Sequence, residues 1–297
     1  MRAAGSSERR EDTPRPLRPA NEEQRSAPEE HLSATEEPRA AAFFDLDKTI
    51  IATTSATAFS RPFLAGGLIT RGDMLRTAYA QFLYLVGGAD AEQTERLRAR
   101  LSAVSTGWDV DQVRAIVSET LHEHIDPVVY AEAVELIGEH HAAGRDVVVV
   151  SASGSEVVEP IAALIGADHV VATRLTVEDG RYTGSIDFYC YGENKALAMR
   201  ELAERESYDL EASYAYSDSI TDAPMLEAVG RSVVVNPDRA LRRLAEERGW
   251  QVARFTHPQP LSERLRPVAP AAAVGGAALA LGVGALVWRA VRRRRGA

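Results

Sequence analysis

The sequence predicts an α/β fold: a doubly wound, mostly parallel sheet with an inserted helical cap, followed by a C-terminal hydrophobic helix. Three observations lead to this prediction. Short apolar runs alternate with helical patterns along most of the chain, which is typical of parallel sheets with crossover helices. Roughly 100 residues without a strand signal separate the first two runs, which is too many for one crossover connection. An uncharged segment lies near the C-terminus, at residues 268–288.

The apolar runs have the length and composition of strands buried on both faces. They cover residues 40–44, 146–150, 169–172, 213–216 and 232–235. Helical patterns lie between them at residues 155–165, 195–206 and 239–248. The sequence Glu178-Asp179-Gly180 is typical of a hairpin turn. We therefore expect an α/β core over residues 39–54 and 127–256.

The insertion at residues 55–126 is expected to form the helical cap. Apolar residues recur there at the spacing of one helix face, as Leu75, Tyr79, Phe82 and Val86 and again as Leu97, Leu101 and Val104. We interpret these residues as the core of the cap, and a face that contacts substrate is the alternative.

Composition limits the partners and the cellular compartment. The 297 residues carry a net charge of −9, which argues against nucleic acid as a partner. Cys190 is the single cysteine, so no intrachain disulfide can form and a reducing cytoplasm fits best. Residues 1–38 are rich in Glu, Arg, Pro and Ser, so we expect a disordered arm without the apolar stretch of a secretory signal. The oligomeric state is left open.

The C-terminal segment predicts a membrane anchor. A linker at residues 257–267 would lead into residues 268–288, which have no charge and nearly the length of a transmembrane helix. The Arg-rich tail, residues 289–297, would lie at a membrane interface. We expect a cytoplasmic folded domain tethered to the cell membrane by this helix. A flexible Ala- and Gly-rich tail is the alternative.

Polar and charged residues follow three of the predicted strands. Asp45 and Asp47 come directly after the first strand, and Asp218 and Asp222 follow the strand at 213–216. Because the carboxyl ends of parallel strands share one crevice, these acids are expected to meet there. Such oxygens are suitable ligands for Mg²⁺. The small polar residues 151–155 are expected to form a turn that opens a helix and can hold a phosphate.

Taken with Lys195 at the start of a helix, these segments resemble the four motifs of the haloacid dehalogenase superfamily. The order and residues match its phosphoserine-phosphatase-like branch, subfamily IB, over residues 40–256. The sequences Asp45-Leu46-Asp47-Lys48-Thr49 and Glu178-Asp179-Gly180-Arg181-Tyr182-Thr183-Gly184 look like those of its phosphatidylglycerophosphatase-like subgroup. The resemblance implies a Rossmann-like core and an enzyme that hydrolyses phosphomonoesters.

The resemblance also implies roles for single residues. Asp45 would attack phosphorus and form an aspartyl-phosphate, and Asp47 would act as general acid and then base. Mg²⁺ would be held by Asp45, the backbone carbonyl of Asp47 and Asp218. The residues expected to contact the phosphate are Thr49, Ser151, Ala152 and Lys195. Asp222 is expected to orient Lys195 or a metal-bound water.

The substrate is left open between a small and a lipid phosphomonoester, with L-phosphoserine as the alternative. Phosphoserine phosphatases usually have a Glu where this chain has Thr54, and Gly-Gly where it has Ala152-Ser153. A membrane anchor and aromatic residues in the cap favour a lipid phosphate. A non-enzymatic phosphate-binding protein or a receiver-like signalling protein is a distant alternative.

Overall fold

The computed structural model describes residues 39–72, 99 and 102–260. The predicted N-terminal arm, membrane helix and basic tail lie outside the described residues, as do Leu75, Tyr79, Phe82 and Val86 of the cap. Within the described ranges, no helix is both long enough and apolar enough to cross a membrane.

The described residues form one sheet of seven strands. The strands are β1 (Ala41–Asp45), β2 (Asp146–Gly154), β3 (His169–Glu178), β4 (Arg181–Phe188), β5 (Tyr214–Ser217), β6 (Arg231–Val235) and β7 (Gln251–Ala253). Their order is β4-β3-β2-β1-β5-β6-β7, and every neighbouring pair is parallel except β3 and β4. The chain leaves β1 toward β2 on one side and later returns to β5 on the other. The carboxyl ends of these three strands therefore border the crevice of a doubly wound sheet.

Helices cover both faces of this sheet, and further helices form the described part of the cap. They are α1 (Ser55–Ala58), α2 (Ser60–Ala65), α3 (Val110–His124), α4 (Ala131–Ala142), α5 (Ser155–Ile165), α6 (Glu193–Glu206), α7 (Ala223–Glu227) and α8 (Arg239–Arg248). Phe43 and Phe44 in β1 belong to different hydrophobic clusters, one on each face of the sheet. Alternation along a strand buried on both sides explains the continuous apolar runs of the sequence.

The hairpin of β3 and β4 contacts the cap. Its two-residue turn is Asp179-Gly180, and both residues have positive φ, 49° and 75°, as a tight type I′ turn requires. Backbone hydrogen bonds then join Gly107 N to Tyr182 O at 2.8 Å, Tyr182 N to Trp108 O at 3.0 Å and Val110 N to Gly180 O at 3.0 Å. The cap segment 107–110 thus pairs with the hairpin through the main chain.

The structure differs from the sequence prediction at the end of β2, near the crevice. Residues 151–154 are not a turn: β2 continues to Gly154, and α5 begins at Ser155. Ser151 pairs with Ala172 and Gly154 with Thr173, so two extra residues are accommodated in an irregular stretch. Such a bulge lets a strand continue while it redirects side chains, and no periodic signal in the sequence marks it.

The chain after β7 packs on the core over the residues that the structure describes. The Glu132 carboxylate accepts hydrogen bonds from the backbone N–H groups of Thr256 and His257, at 2.9 and 3.2 Å. Gln259 N donates to Val129 O at 3.0 Å. The first residues of the segment predicted as a linker are therefore held against the start of α4.

Candidate active site

Asp45, Lys195 and Asp222 form a buried charged cluster at the carboxyl end of β1. Lys195 Nζ lies 2.6 Å from Asp45 Oδ1 and 2.8 Å from Asp222 Oδ2. Asp222 Oδ2 also accepts a hydrogen bond from Ser217 Oγ at 2.7 Å. The three charged residues are each at most 6% exposed. Asp222 is therefore in position to orient Lys195, which is one of the two roles predicted for it.

Lys195 reaches this position from the first turn of α6. The preceding Gly192 has φ +56°, a conformation that glycine adopts without strain. Burial lowers the pKa of Lys195, but the neighbouring Asp222 and Asp45 raise it by more, so the net shift is upward. The side chain is therefore a fixed, buried cation.

Asp47 lies in a short loop after β1 that leads to the cap. Lys48 adopts φ +63° and donates its N–H to Thr53 O at 3.1 Å, which closes the loop. Asp47 Oδ1 accepts a hydrogen bond from Ser55 N at 2.8 Å. Its Oδ2 lies 3.3 Å from Ser55 Oγ and 3.5 Å from Ser153 Oγ. Burial raises the pKa of Asp47, and the hydrogen bonds from Ser55 oppose that shift.

Asp218 follows β5 in a turn that Asp238 holds. Ile220 N and Leu241 N donate to the two oxygens of the Asp238 carboxylate, at 2.9 and 2.8 Å, and Asp238 N donates to Asp218 O at 2.9 Å. Burial raises the pKa of Asp218 to about 8, and the negative charge of Asp45 adds to this shift. Asp218 thus lies within electrostatic range of the Asp45 cluster.

The site holds its carboxylates close together, and too little positive charge is present to balance them. Burial raises the pKa of Asp45 to about 7, against the opposing effect of Lys195. Among the described residues, Lys195 is the one buried cation, while Asp45, Asp47, Asp218 and Asp222 supply four acids. A divalent cation would relieve this repulsion, and carboxylate and carbonyl oxygens are the ligands that Mg²⁺ prefers. The site therefore fits the predicted metal.

The expected metal ligands are two carboxylates and one backbone carbonyl. In the described part of the chain, no three His, Cys, Asp or Glu side chains gather in a metal-binding arrangement. This observation is compatible with the predicted set, because Asp47 would contribute its carbonyl rather than its side chain.

The residues predicted at the phosphate lie around the same edge. β1 and β2 pair Asp45 with Val150, so Ser151 and Ala152 follow directly beside Asp45. Ser151 Oγ accepts a hydrogen bond from Ser153 N at 3.2 Å, and Ala152 O accepts one from Thr173 Oγ1 at 2.7 Å. Thr49 is fully buried, and its hydroxyl has no hydrogen-bond partner among the described residues.

A second polar cluster contacts β5 through Tyr216. His140 is 2% exposed and packs edge-on against Phe44. Its Nε2 lies 2.8 Å from Tyr216 Oη, and its Nδ1 accepts a hydrogen bond from Arg145 Nε at 2.7 Å. Burial lowers the pKa of His140 to about 4, and the charge of Arg145 adds to this shift. A neutral imidazole therefore belongs to the core.

The comparison with known families matches the part of the chain that holds this site. The profile of haloacid dehalogenase-like hydrolases matches residues 42–227, which include Asp45, Asp47, Lys195, Asp218 and Asp222. The chain belongs to the haloacid dehalogenase-like hydrolases.

Relatives of this family member include proteins with and without a named activity. A Streptomyces azureus protein named for inhibition of morphological differentiation is 59% identical over 86% of this chain and 95% of its own length. A probable phosphatase of Mycobacterium tuberculosis is 58% identical over 85% and 88%. A phosphoserine phosphatase of Mycobacterium tuberculosis is 35% identical over 81% and 79%.

Solved structures agree with the fold of this haloacid dehalogenase-like hydrolase. A Bordetella pertussis Tohama I protein of unknown function has a TM-score of 0.64 and 31% identity, and the match covers 73% of this chain and 98% of that one. The comparisons thus confirm the predicted superfamily, the α/β fold and the enzyme class.

Sequence reasoning missed two residues of the hydrolase site. Ser55 and Ser153 contact Asp47, yet neither belongs to the charged patterns that marked the site. Thr54, in contrast, was singled out, and its hydroxyl accepts a hydrogen bond from Thr57 N at 3.2 Å and caps α1. Thr54 therefore caps α1 and does not supply the carboxylate that phosphoserine phosphatases usually have at this position.

Proposed function

We propose that this protein hydrolyses phosphomonoesters through a phosphorylated Asp45. The observation that supports this proposal best is the buried Lys195 between Asp45 and Asp222. A fixed cation at 2.6 Å from Asp45 Oδ1 lowers the cost of bringing a phosphate dianion to a carboxylate. Among the described residues, no donor contacts Asp45 Oδ2, so this oxygen is the one suited to attack.

The first step transfers the phosphoryl group to the protein. Asp45 Oδ2 forms a bond to phosphorus while the bond from phosphorus to the ester oxygen breaks. Asp47 gives its proton to the departing oxygen, so the product leaves as a neutral alcohol. Lys195 and the groups around Ser151 would hold the phosphoryl oxygens during the transfer.

The second step releases inorganic phosphate. Asp47, now ionised, takes a proton from a water molecule as the water oxygen bonds to phosphorus and the bond to Asp45 breaks. Asp45 returns as a carboxylate, and Asp47 returns to its protonated form. A Mg²⁺ ion held by Asp45, Asp218 and the Asp47 carbonyl would supply positive charge for the phosphoryl group.

The substrate class is a phosphate ester of a small or lipid alcohol. The phosphoserine phosphatase among the relatives supports L-phosphoserine as a second candidate. The Thr54 position argues against that candidate, because its hydroxyl is used to cap α1 and it carries no charge for an ammonium group. A panel of phosphoserine, sugar phosphates, nucleotides and detergent-solubilised lipid phosphates distinguishes these classes.

The nucleophile is tested by Asp45→Asn in the full-length protein. We expect loss of turnover by at least about three orders of magnitude, because the covalent route is removed. The matched control is Asp187→Asn, since that side chain is 65% exposed and pairs with Arg174. Acid-quenched wild-type protein should gain the mass of one phosphoryl group during turnover. A variant that keeps more than a few per cent of activity contradicts the proposal.

A further inference from the structure

We propose that Ser55 and Ser153 are positioning residues that hold Asp47 for proton transfer to and from substrate. The inference rests on the proposed function and adds two residues to it. Ser55 is the first residue of α1 in the cap, whereas Ser153 belongs to β2 in the core. Their hydroxyl oxygens lie 2.7 Å apart and both face Asp47 Oδ2.

The backbone of Ser55 determines which oxygen of Asp47 carries the proton. Ser55 N donates to Asp47 Oδ1 at 2.8 Å. An amide N–H cannot accept a hydrogen bond, so a proton on Oδ1 would lose this contact. The proton of the acid therefore belongs on Oδ2, the oxygen beside the two hydroxyls.

The hydroxyl pair suits both forms of Asp47. A hydroxyl can donate one hydrogen bond and accept others. When Asp47 is ionised, Ser55 and Ser153 can donate toward Oδ2. When Oδ2 is protonated, the hydroxyls can rotate so that one donates to the other, which leaves the Oδ2 proton for the ester oxygen. The carboxyl plane stays fixed while the proton is transferred, as preorganised acid and base catalysis requires.

The pair also connects the acid to the position of the cap. Ser55 is 1% exposed and begins α1, while Ser153 lies in β2 of the sheet. The contact between the two hydroxyls therefore joins the cap to the core. Asp47 is thus held by residues from both.

The test compares leaving groups in the full-length enzyme. We would measure kcat/KM of wild type, Ser55→Ala, Ser153→Ala and the double variant on p-nitrophenyl, phenyl and butyl phosphate. The kcat/KM of each single variant should fall about tenfold on butyl phosphate and less than about threefold on p-nitrophenyl phosphate. The reason is that the alkoxide leaving group of butyl phosphate needs protonation, whereas p-nitrophenolate does not. The double variant should lose little more than either single variant, since the hydroxyls act as one pair.

Two controls separate positioning from a general structural role. Ser153→Thr retains the hydroxyl and should restore the wild-type ratio between butyl and p-nitrophenyl phosphate. Ser60→Ala removes a cap hydroxyl that donates to Thr57 O without contacting Asp47, and it should leave the ratio unchanged. Thermal unfolding of each variant identifies loss of folding, and Ser153→Gly replaces Ser153→Ala if that protein is unstable.

The outcomes separate the inference from the proposed function. If wild type hydrolyses none of the three esters, the proposed function fails and the inference fails with it. If wild type is active and the alanine variants lose equally on butyl and p-nitrophenyl phosphate, or lose nothing, the inference alone is overturned.

Discussion

At the scale of single residues, Lys195 balances the charge of Asp45 and Asp222. We expect Lys195→Met to lose at least about three orders of magnitude in kcat/KM, because the cation that faces the phosphoryl group is gone. The substitution should also destabilise the fold by about 3–5 kcal/mol, since it leaves two buried carboxylates unpaired. Denaturant unfolding measures the second effect.

The loss of stability in Lys195→Met should depend on pH. Burial already raises the pKa of Asp45 in the folded protein, and without the opposing charge of Lys195 it rises further above that of the unfolded chain. The folded state then binds more protons than the unfolded state, so the free energy of unfolding falls as pH rises. Lys195→Met should therefore be destabilised more at pH 8 than at pH 5. Equal losses at both values would contradict this account, and Lys195→Met with Asp222→Asn should recover part of the stability.

His140 provides a second pH-dependent contribution. Its pKa of about 4 in the folded protein lies below about 6.5 for an unfolded chain. The stability that neutral His140 contributes is complete above pH 6.5 and is lost as pH falls toward 4, by on the order of 3 kcal/mol. His140→Gln should be less stable than wild type at pH 7.5, and the difference should shrink at pH 4.5. Urea titrations at both values check this; a constant difference would rule out the titration of His140 as the cause.

At the scale of elements, the β3–β4 hairpin is fitted to the cap at Gly184. That glycine has φ +88°, and an added Cβ would lie 2.3 Å from Thr106 Oγ1 in the cap. Gly184→Ala should lower the free energy of unfolding by about 1–3 kcal/mol because of the clash. Placing alanine at positive φ should lower it by about 1–2 kcal/mol more. Gly180→Ala is the matched control, because Gly180 also has positive φ, +75°, but meets no atom within 4 Å.

A second substitution isolates the contact with the cap. Thr106→Ala in the Gly184→Ala protein removes the clashing oxygen and should restore the stability to that of Gly180→Ala. Thermal unfolding compares the four proteins. If Gly184→Ala and Gly180→Ala lose the same stability, the close approach to Thr106 has no energetic consequence.

The elements that could be predicted from the sequence are those with local signals. Buried parallel strands gave apolar runs, the Asp179-Gly180 pair indicated the hairpin, and the acids after β1 and β5 indicated the crevice. The irregular end of β2 gave no such signal, because it depends on pairing with β3. For the same reason, the contacts of Ser153 with Ser55 and Asp47 could not be predicted: they join residues 98 and 106 positions apart, and each serine alone is unremarkable.

At the scale of the whole molecule, Mg²⁺ should stabilise the folded protein. An ion that binds only the folded chain adds about 2.7 kcal/mol at a concentration 100 times its dissociation constant. We expect a rise in unfolding temperature on addition of Mg²⁺ to wild type and to Asp111→Asn, whose side chain is 93% exposed. Asp218→Ala should show little or no rise. An undiminished shift in Asp218→Ala would exclude this carboxylate from the metal site.

The pairing of the cap with the hairpin bears on the catalytic cycle. Moving the cap away from the core must break the main-chain hydrogen bonds of Gly107, Tyr182 and Val110 together. Their amide protons are shielded from water until that happens, so their rate of exchange with deuterium reports the frequency of opening. If product leaves through this route, that frequency sets an upper limit on the turnover number, however fast the chemistry at Asp45 becomes.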